Sequence, residues 1–571
     1  MRRTSVITGA LALATALTVP AQSWAQPAQI LIVNTDGPNE GFNDPTPVAP
    51  VGGNTGTTLG QQRLIAFQHA ANLWAAELQS PVPIRVQASF NPLTCTATSA
   101  VLGAAGAIQI FGNSPGVEIQ NIWYPVALAN KLAGSDLAPG PEGTSADDIV
   151  AIFNSNLGAP SCLGGRPFYL GLDTNHGTAI NLVTVLLHEF GHGLGFANFV
   201  TETNGTSPLN LGDVYSQYTL DTTVNKTWNQ MTAAERAASA VRGRRVVWSG
   251  LNVTNAVPSV LSLGTPLFRV TSPSTLGVFQ IGAAAFGPAL SSPGVSGDVV
   301  LALDAADGAG PSTSDACSPI TNSNAVFGRI ALVDRGSCLF PVKVKNAQDA
   351  GAIAVLVADN VAGEPPAGLG GTDPTITIPS VRISLGDGNA LKAALAQGVV
   401  TGTLGVDPTV RAGADTSNRA MLYMPNPVQS GSSGSHFDTS ATRNLLMEPA
   451  INADLTHVVK PPVDLTLSLF QDIGWFSDGD GVPDGVDACL GSNRSATVVV
   501  GGIDSGVANT VFASGCRISD FVEYCEKSGG NHGGVVTCVG DLSLRLKSTG
   551  VITGREYGAL TSAVARTRTA P

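Results

Sequence analysis

The feature that most constrains this chain is the stretch His188-Glu189-Phe190-Gly191-His192, which follows an apolar run at residues 179–187. Apolar residues recur there at alternating spacings of three and four, which predicts one buried helical stripe: Ile180, Val183, Leu187, Phe190 and Leu194. His188 and His192 therefore project together from an adjacent face of the same helix. Two imidazoles held in this way can each place a nitrogen about 2.0–2.1 Å from one zinc ion. Glu189 lies beside them, where it can take a proton from the metal's water.

This motif is specific in a chain of this composition. A shuffled chain would contain His-Glu-x-x-His roughly 0.002 times. The alternative is a buried helix that carries two incidental histidines. Gly191 and Gly193 count against it, because each glycine costs about 1 kcal/mol in a helix interior and a purely structural helix would gain from alanine at both positions. The sequence therefore predicts a zinc site on this helix.

Residues 1–25 have the form of a secretory signal peptide. Arg2 and Arg3 precede an apolar run at 6–19, and small residues before position 26 offer a cleavage site after Ala25. A membrane anchor is the alternative, but the run is short and contains Thr and Gly. No later segment has about 18 uninterrupted apolar residues, so we expect an exported protein without a membrane span.

The composition limits the class of protein. The net charge is −12, and it becomes −14 without the two arginines of the signal peptide, which argues against nucleic acid as a partner. Only 13% of the residues are charged, 43% are hydrophobic and 66 are glycine. We expect a β-rich globular chain of two to four domains.

The cysteines predict disulfides, because the chain is expected to be exported. They group along the sequence, which favours local pairing within each region: Cys95 with Cys162, Cys317 with Cys338, and then Cys489, Cys516, Cys525 and Cys538. Zinc binding by the last four is the alternative, but they contain no Cys-x-x-Cys pair.

The N-terminal part reads as an α+β lobe. Strands are predicted at 30–33, 83–90, 149–153 and 168–172, and an amphipathic helix at 61–78. One of these strands is expected to form an edge above the metal that pairs with an extended peptide substrate, although the sequence does not indicate which. Residues 214–249 are read as part of the same body.

Two histidines leave a catalytic zinc site incomplete. The motif and the following Gly195, which can supply the turn that ends the helix, resemble the metzincins. Their pattern His-Glu-x-x-His-x-x-Gly-x-x-His would place the third ligand at position 198, where this chain has Asn198. A thermolysin-like site would need a downstream glutamate, but Glu202 lies on no evident helix. The remaining candidates are the other histidines: His69, His176, His436, His457 and His532.

The sequence around His436 resembles leishmanolysin, a metzincin whose third histidine comes late, after an insertion. A Ser-His pair stands at 435–436, Leu-Met-Glu-Pro follows at 446–449, and an amphipathic helix ends in Phe-Gln-Asp-Ile-Gly at 470–474. The resemblance implies that His436 is the third zinc ligand and that Met447 packs beneath the metal.

The 243 residues between His192 and His436 must fold by themselves if the ligands are to converge. Strands at 327–338 and 352–358 flank a helix over 340–350 that ends at Gly351, and a second strand–helix pattern follows at 378–391. This stretch is similar to the protease-associated (PA) domain, over roughly 260–405. The resemblance implies a non-catalytic lid or protein-binding module; a purely stabilising insert is the alternative.

An acidic, glycine-rich segment follows the catalytic part. Its aspartates alternate with other residues, which suits a calcium ion and resembles a thrombospondin type 3 repeat: Asp478, Asp480, Asp484 and Asp487. Cys489 stands where an EF-hand has its twelfth-position Glu, and a solvated acidic linker is the alternative. Residues 493–571 have no predicted role beyond a final helix.

The sequence as a whole predicts an α+β chain in which a metzincin-like catalytic domain (26–255 and 408–476) is interrupted by an α/β PA domain (256–407). A calcium loop (477–492) and a small disulfide-containing region (493–571) follow. The expected function is that of a secreted zinc endopeptidase acting on proteins or peptides, with Glu189 as the general base. Two other functions stay open: an extracellular binding or adhesion protein with a non-catalytic zinc site, and a zinc hydrolase with a non-peptide substrate.

Overall fold

A computed structural model describes residues 27–140, 146–452, 454–476, 489, 495–512, 514 and 516–567. Separate hydrophobic cores divide these residues into three regions. The body is built from residues 28–261 and 414–476, the insert from residues 268–404, and the C-terminal region from residues 498–564. The two segments of the body share one core although the insert separates them in sequence.

The first half of the body contains eight strands: β1 (Ile30–Asn34), β2 (Ile84–Asn91), β3 (Gly103–Ala107), β4 (Ile110–Gly112), β5 (Ile122–Pro125), β6 (Ile149–Asn154), β7 (Phe168–Tyr169) and β8 (Ile180–Asn181). The main sheet has the order β1-β2-β6-β3, in which β3 alone is antiparallel. Alternate residues of β2 are buried, as the predicted strand 83–90 requires. The sequence predicts no strand at β3, because a run of glycine and alanine shows no alternation of polar and apolar residues.

Three helices accompany these strands: α1 (Leu59–Glu77), α2 (Val126–Ala133) and α3 (Leu182–Leu194). α1 is the helix predicted at 61–78. α3 is the predicted zinc helix, but it begins three residues after position 179 because Asn181 caps it: the Asn181 side chain accepts the N–H of Thr184 at 3.2 Å. Ile180 therefore lies in β8 rather than on the helix. The strand predicted at 168–172 is only the two residues of β7.

The body continues through residues 212–260, with β9 (Gly212–Asp213), β10 (Thr219–Asp221), β11 (Lys226–Thr227), α4 (Ala233–Ser239), β12 (Val246–Trp248) and α5 (Leu251–Val260). Tyr215, Trp228 and Trp248 of this stretch are fully buried in the core that also contains α3. Residues 214–249 thus pack with the body, as the sequence predicts.

The insert is an eight-stranded sheet with helices: β13 (Leu263–Ser272), β14 (Val278–Phe279), β15 (Gly282–Ala283), β16 (Val295–Leu301), α6 (Ser323–Val326), β17 (Ile330–Asp334), α7 (Phe340–Asp349), β18 (Ala354–Ala358), β19 (Ser380–Ile383), α8 (Leu385–Leu395) and β20 (Val400–Arg411). Strands β16, β17, β18 and β19 are parallel neighbours. On β17, Ile330 and Leu332 enter one core while Ala331 and Val333 enter the other. Both faces are covered, which explains the continuous apolar runs in the sequence.

The insert is attached at its base and by further hydrogen bonds, one of which runs from the Gln280 side chain to the carbonyl of Gly243 in the body at 3.1 Å. β13 and β20 pair antiparallel, with Leu263 opposite Arg411, so the chain enters and leaves the insert at adjacent positions. Away from that base, Glu364 of the insert and Asn426 of the body exchange two backbone hydrogen bonds of 2.9 and 2.7 Å. The insert is therefore bound to the segment that leads to His436.

Contacts across the body join the residues that precede the insert to those that follow it. The last helix of the body is α9 (Thr466–Asp472). Asp472 Oδ2 accepts the indole N–H of Trp248 at 2.8 Å. The indole N–H of Trp475 donates to the carbonyl of Leu194, the last residue of α3, at 2.8 Å. The first of these buried bonds joins β12 to the returning chain, and the second holds α3 against it.

The C-terminal region has a hairpin, β21 (Thr497–Val500) and β22 (Ile503–Ala508), followed by α10 (Ile518–Ser528), α11 (His532–Ser548) and α12 (Gly554–Arg566). All eight cysteines form disulfides, and the pairing is local as predicted: Cys95–Cys162, Cys317–Cys338, Cys489–Cys516 and Cys525–Cys538. No thiolate is left for zinc. Within the described ranges, no helix is both long and apolar enough to cross a membrane.

Candidate metal centre

Helix α3 carries the first two histidines of the site. Every residue of this helix except His192 is buried, and His192 is half-buried. The helix ends at Gly195, whose φ of 123° is unfavourable for a side chain, and whose N–H donates back to the carbonyls of Gly191 and His192. Gly195 is thus placed at the turn where the sequence predicts it.

His436 reaches the same point from the chain that returns after the insert. A bridge between Leu422 and Phe437, and a 2.9 Å bond from the N–H of Tyr423 to the carbonyl of His436, close a loop over residues 422–437. The Nε2 atom of His192 lies 3.2 Å from that of His188 and 3.2 Å from that of His436, and the third separation is 3.3 Å. The structure therefore brings the three predicted ligands together.

The hydrogen bond made by Nδ1 of each ring shows whether Nε2 of that ring is protonated. Each Nδ1 lies against a backbone carbonyl: His188 against Leu446 (2.7 Å), His192 against Phe196 (2.8 Å) and His436 against Ser432 (2.8 Å). A carbonyl only accepts, so Nδ1 carries the hydrogen and Nε2 of the neutral ring carries a lone pair. Three lone pairs that face one another repel unless a cation lies between them. Histidines that bind a metal through one ring nitrogen usually donate a hydrogen bond from the other, as these three do.

The spacing of the three nitrogens fits zinc. Tetrahedral ligands about 2.0–2.1 Å from a zinc ion are about 3.3–3.4 Å from one another, close to the observed separations. Burial lowers the pKa of His188 to about 3 and that of His192 to about 4, and it holds the pKa of His436 well below its usual value. The rings are therefore neutral, as zinc requires. In the part of the chain that the structure describes, no other three or more His, Cys, Asp or Glu side chains bring their ligand atoms within 4.8 Å of one another.

Met447 is placed directly against the zinc helix. Its side chain is fully buried, and a Cβ added at Gly191 would lie 2.8 Å from its sulfur. The N–H of Phe437 donates to the carbonyl of Met447 at 2.8 Å, which joins Met447 to the residue after His436. Met447 is therefore a packing residue between the helix and the late histidine.

The two glycines inside α3 have a packing reason, so the expectation that alanine would improve a structural helix is wrong. Gly191 leaves room for Met447. A Cβ at Gly193 would lie 2.4 Å from Cγ2 of Ile149 in β6, which is closer than real contacts allow. The glycines are required by tertiary contacts whether or not a metal binds, and they do not by themselves favour a zinc site.

Gly193→Ala is expected to lower the free energy of unfolding by about 1–3 kcal/mol, because β6 or the Ile149 side chain must move. Urea unfolding of the metal-free protein measures the change. Gly540→Ala in α11 is the matched control, since a Cβ there meets nothing and helix propensity should then raise stability. A Gly193→Ala protein as stable as the wild type would contradict this account.

Glu189 lies between the zinc helix and the edge strand β3. Its side chain is 7% exposed, and the backbone N–H of Ala105 donates to its carboxylate. Gly103 of β3 makes room for this side chain, because a Cβ at position 103 would lie only 3.1 Å from Cγ of Glu189. Burial raises the pKa of Glu189 to about 8, which makes the group a strong proton acceptor when it is ionised.

Position 198, where the metzincin pattern has its third histidine, contacts the late histidine segment instead. The side-chain amide of Asn198 donates to the hydroxyl of Ser435 at 2.9 Å and to the carboxylate of Glu202 at 3.2 Å. Glu202 is thus a partner of Asn198 and not part of the histidine triad. Burial raises the pKa of Glu202.

The remaining candidates lie elsewhere. His457 is near His69, with ring centroids 6.3 Å apart, and its Nε2 lies 3.3 Å from the side-chain oxygen of Asn181. His176 bonds the carbonyl of Ala179, and His532 begins α11 of the C-terminal region. The predicted calcium ligands Asp478, Asp480, Asp484 and Asp487 lie outside the described residues, as does the predicted signal peptide.

Two parts of the site are not predicted by the sequence. The edge strand that meets Glu189 is β3, and its glycine–alanine composition hides it. The contact of Asn198 with Ser435 is also missed, although the departure from the metzincin pattern at position 198 is the signal that marks this residue.

Comparison with known proteins identifies the insert. Residues 295–391 match the family described as PA domain. This part of the chain is a PA domain. The match lies within residues 256–407, where the sequence predicts such a domain, and it includes none of the three histidines of the metal centre.

Individual relatives cover little of the chain. The ER degradation-enhancing alpha-mannosidase-like protein 3 of Homo sapiens is 50% identical over 50 residues, which are 9% of this chain and 5% of that protein. The probable leucine aminopeptidase 2 of Aspergillus fumigatus is 40% identical over 85 residues, 14% of this chain and 17% of that protein. The solved zinc aminopeptidase BSAP from Bacillus subtilis is 20% identical with a TM-score of 0.19, over 34% of this chain and 42% of that one. The chain thus spans less than a fifth of the length of these two curated relatives.

Proposed function

We propose that the chain is a secreted zinc-dependent endopeptidase of the metzincin class, with a site like that of leishmanolysin. The observation that carries this proposal is the convergence of three unprotonated Nε2 atoms beside a buried glutamate. A structural zinc site is usually closed by four protein ligands, whereas this group offers three and leaves one position for water. The names of protease relatives, such as the leucine aminopeptidase, agree with this class of activity.

The residues of the site take separate roles in peptide hydrolysis. His188, His192 and His436 hold zinc, each oriented by its Nδ1–H bond to a backbone carbonyl. Zinc, when bound, makes water acidic and polarises the carbonyl of the scissile peptide bond. The Glu189 carboxylate would accept a proton from the attacking water and later pass it to the leaving amine. The N–H of Ala105 holds the carboxylate in place for both transfers.

The substrate is proposed to bind along β3. This strand is the last of its sheet, and since the N–H of Ala105 donates to Glu189, the outer edge of β3 faces the site. Gly103 and Ala107 present their backbone groups on the same edge, because alternate residues of a strand share a direction. An extended peptide can add to this edge by main-chain hydrogen bonds, which places its backbone beside Glu189. Short glycine and alanine side chains leave room for it.

Secretion is supported by the four disulfides, which persist in oxidising compartments. The signal peptide at 1–25 and the calcium loop at 477–492 remain predictions from the sequence. The PA domain is proposed to restrict or bind the protein substrate.

Labelled casein tests the proposal. The purified chain is expected to cleave it, to lose this activity with a zinc chelator, and to recover it when zinc is added back. Cleavage that a chelator does not affect would contradict a zinc peptidase. A chain that holds zinc but leaves casein and a peptide panel intact would favour a binding protein, or, if it hydrolyses esters, a non-peptide hydrolase.

A further inference from the structure

The three histidines do not by themselves explain what places His436 next to α3. His436 is separated from His192 by 243 residues, yet its Nε2 must be placed to within about 0.5 Å to complete a metal site. The bonds to its own ring and backbone come from Ser432 and Tyr423, which belong to the same loop. These bonds shape the loop but do not locate it relative to α3.

The chain directly after α3 makes such a connection. The hydroxyl of Ser435, the residue before His436, accepts two hydrogen bonds from Asn198: one from the side-chain amide at 2.9 Å and one from the backbone N–H at 3.2 Å. Asn198 lies four residues past the end of α3, and Gly195 forms the turn between them. Asn198 therefore connects the helix that carries two ligands to the residue that precedes the third.

The amide of Asn198 has only one orientation that satisfies its neighbours. Its oxygen accepts the backbone N–H of Val200 at 2.8 Å, so its nitrogen must face Ser435 and Glu202. A partly buried carboxylate at Glu202 then fixes the second hydrogen of that nitrogen. Asn198 is held on both sides before it meets Ser435.

The backbone beside Ser435 is shaped for this contact. Gly434 has a φ of 76°, and a Cβ there would lie 2.8 Å from the amide nitrogen of Asn198. A side chain at position 434 would thus be strained and would push the loop away from Asn198. The close approach of the two segments depends on this glycine.

We propose that Asn198 and Ser435 are a positioning pair that sets the place of His436 as third zinc ligand. This inference rests on the proposed function. It assigns a role to the position at which the chain departs from the metzincin pattern: position 198 supplies no ligand but holds the segment that supplies one. Groups that orient metal ligands typically contribute about 10–100-fold to metal affinity.

Zinc affinity, measured by competition with a chromophoric chelator, tests the pair. Asn198→Ala and Ser435→Ala are each expected to weaken zinc binding by about 10–100-fold. The double variant should bind zinc no more weakly than the weaker single variant, because Ser435→Ala already removes both hydrogen bonds between the two residues, including the side-chain bond that Asn198→Ala removes. Ser435→Thr keeps the hydroxyl and should retain most of the affinity.

Thermal unfolding of the metal-free proteins separates positioning from general damage. Asn322→Ala is the control, because this half-buried asparagine of the insert also accepts one backbone N–H, from Leu303, and donates to one backbone carbonyl, that of Leu301, outside the body that contains the histidines. We expect it to leave zinc affinity unchanged, even if its unfolding temperature falls as much as that of Asn198→Ala. If the Asn198→Ala protein does not fold, the zinc affinity of Ser435→Ala, which is the smaller change, tests the proposal.

Two results would overturn the pair: full zinc affinity in both alanine variants, or losses that add in the double variant. Neither result would affect the proposed function. A wild-type chain that binds no zinc would overturn the proposed function, and the pair with it.

Discussion

Glu189→Gln is expected to bind zinc as the wild type does and to lose peptide hydrolysis by about 10²–10⁴-fold, the usual contribution of a general base. Glutamine has nearly the same size and can still accept the N–H of Ala105, so the packing against β3 is kept. It cannot accept the proton of the attacking water. The loss should therefore appear in kcat, while the affinity for an extended peptide changes little.

The measurements are zinc content and the turnover of a fluorogenic peptide. Glu235→Gln is a control for purification and for the loss of one glutamate, because Glu235 caps α4 and pairs with Lys226 away from the metal centre. Its turnover should equal that of the wild type. Unchanged turnover in Glu189→Gln would show that another group takes the proton.

His436→Ala is expected to lose zinc on dialysis. Zinc-binding free energies of about 10–16 kcal/mol, shared evenly over the ligands of a site, give about 3–5 kcal/mol for each, which is more than 100-fold in affinity. The chain should remain folded, since His436 lies on a loop and the body core is formed by other residues. Hydrolysis should fall with the zinc content.

His457→Ala is the matched control, because it removes a half-buried histidine of the returning chain that contacts His69 and the N-cap residue Asn181 of α3 but is not one of the three converging histidines. It should keep one zinc per chain. Full zinc content in His436→Ala would mean that another residue is the third ligand, and the leishmanolysin-like assignment would then fail.

The zinc helix and the insert could be predicted because their signals are local. The spacing of His188 and His192 follows from the period of one helix, and strands buried on both faces, such as β17, appear as apolar runs. The apolar pattern predicts too early a start for α3, because it continues through Asn181, whose side chain caps the helix. Strand β3 shows no alternation of polar and apolar residues, because the small residues that let it approach Glu189 closely are all glycine and alanine.

What could not be predicted depends on contacts between distant residues. Gly193 is required because Ile149 on a neighbouring strand leaves no room for a side chain, whereas helix propensity alone predicts that alanine at this position would stabilise the helix. No local pattern selects His436 among five histidines; only the resemblance to leishmanolysin did so. The bond between Asn198 and Ser435 joins residues 237 positions apart and is visible only in the folded chain.

The paired ends of the PA domain make it removable in principle. Leu263 and Arg411 are direct neighbours, so a short turn could join β13 to β20 at their base and shorten the path from His192 to His436 by more than half. The body would keep its own hydrophobic core, but the backbone pair between Glu364 and Asn426 would disappear. A chain shortened in this way would separate two contributions of the domain: access of large substrates to the site, and the rigidity that the pair with Glu364 gives to the segment leading from Asn426 to His436.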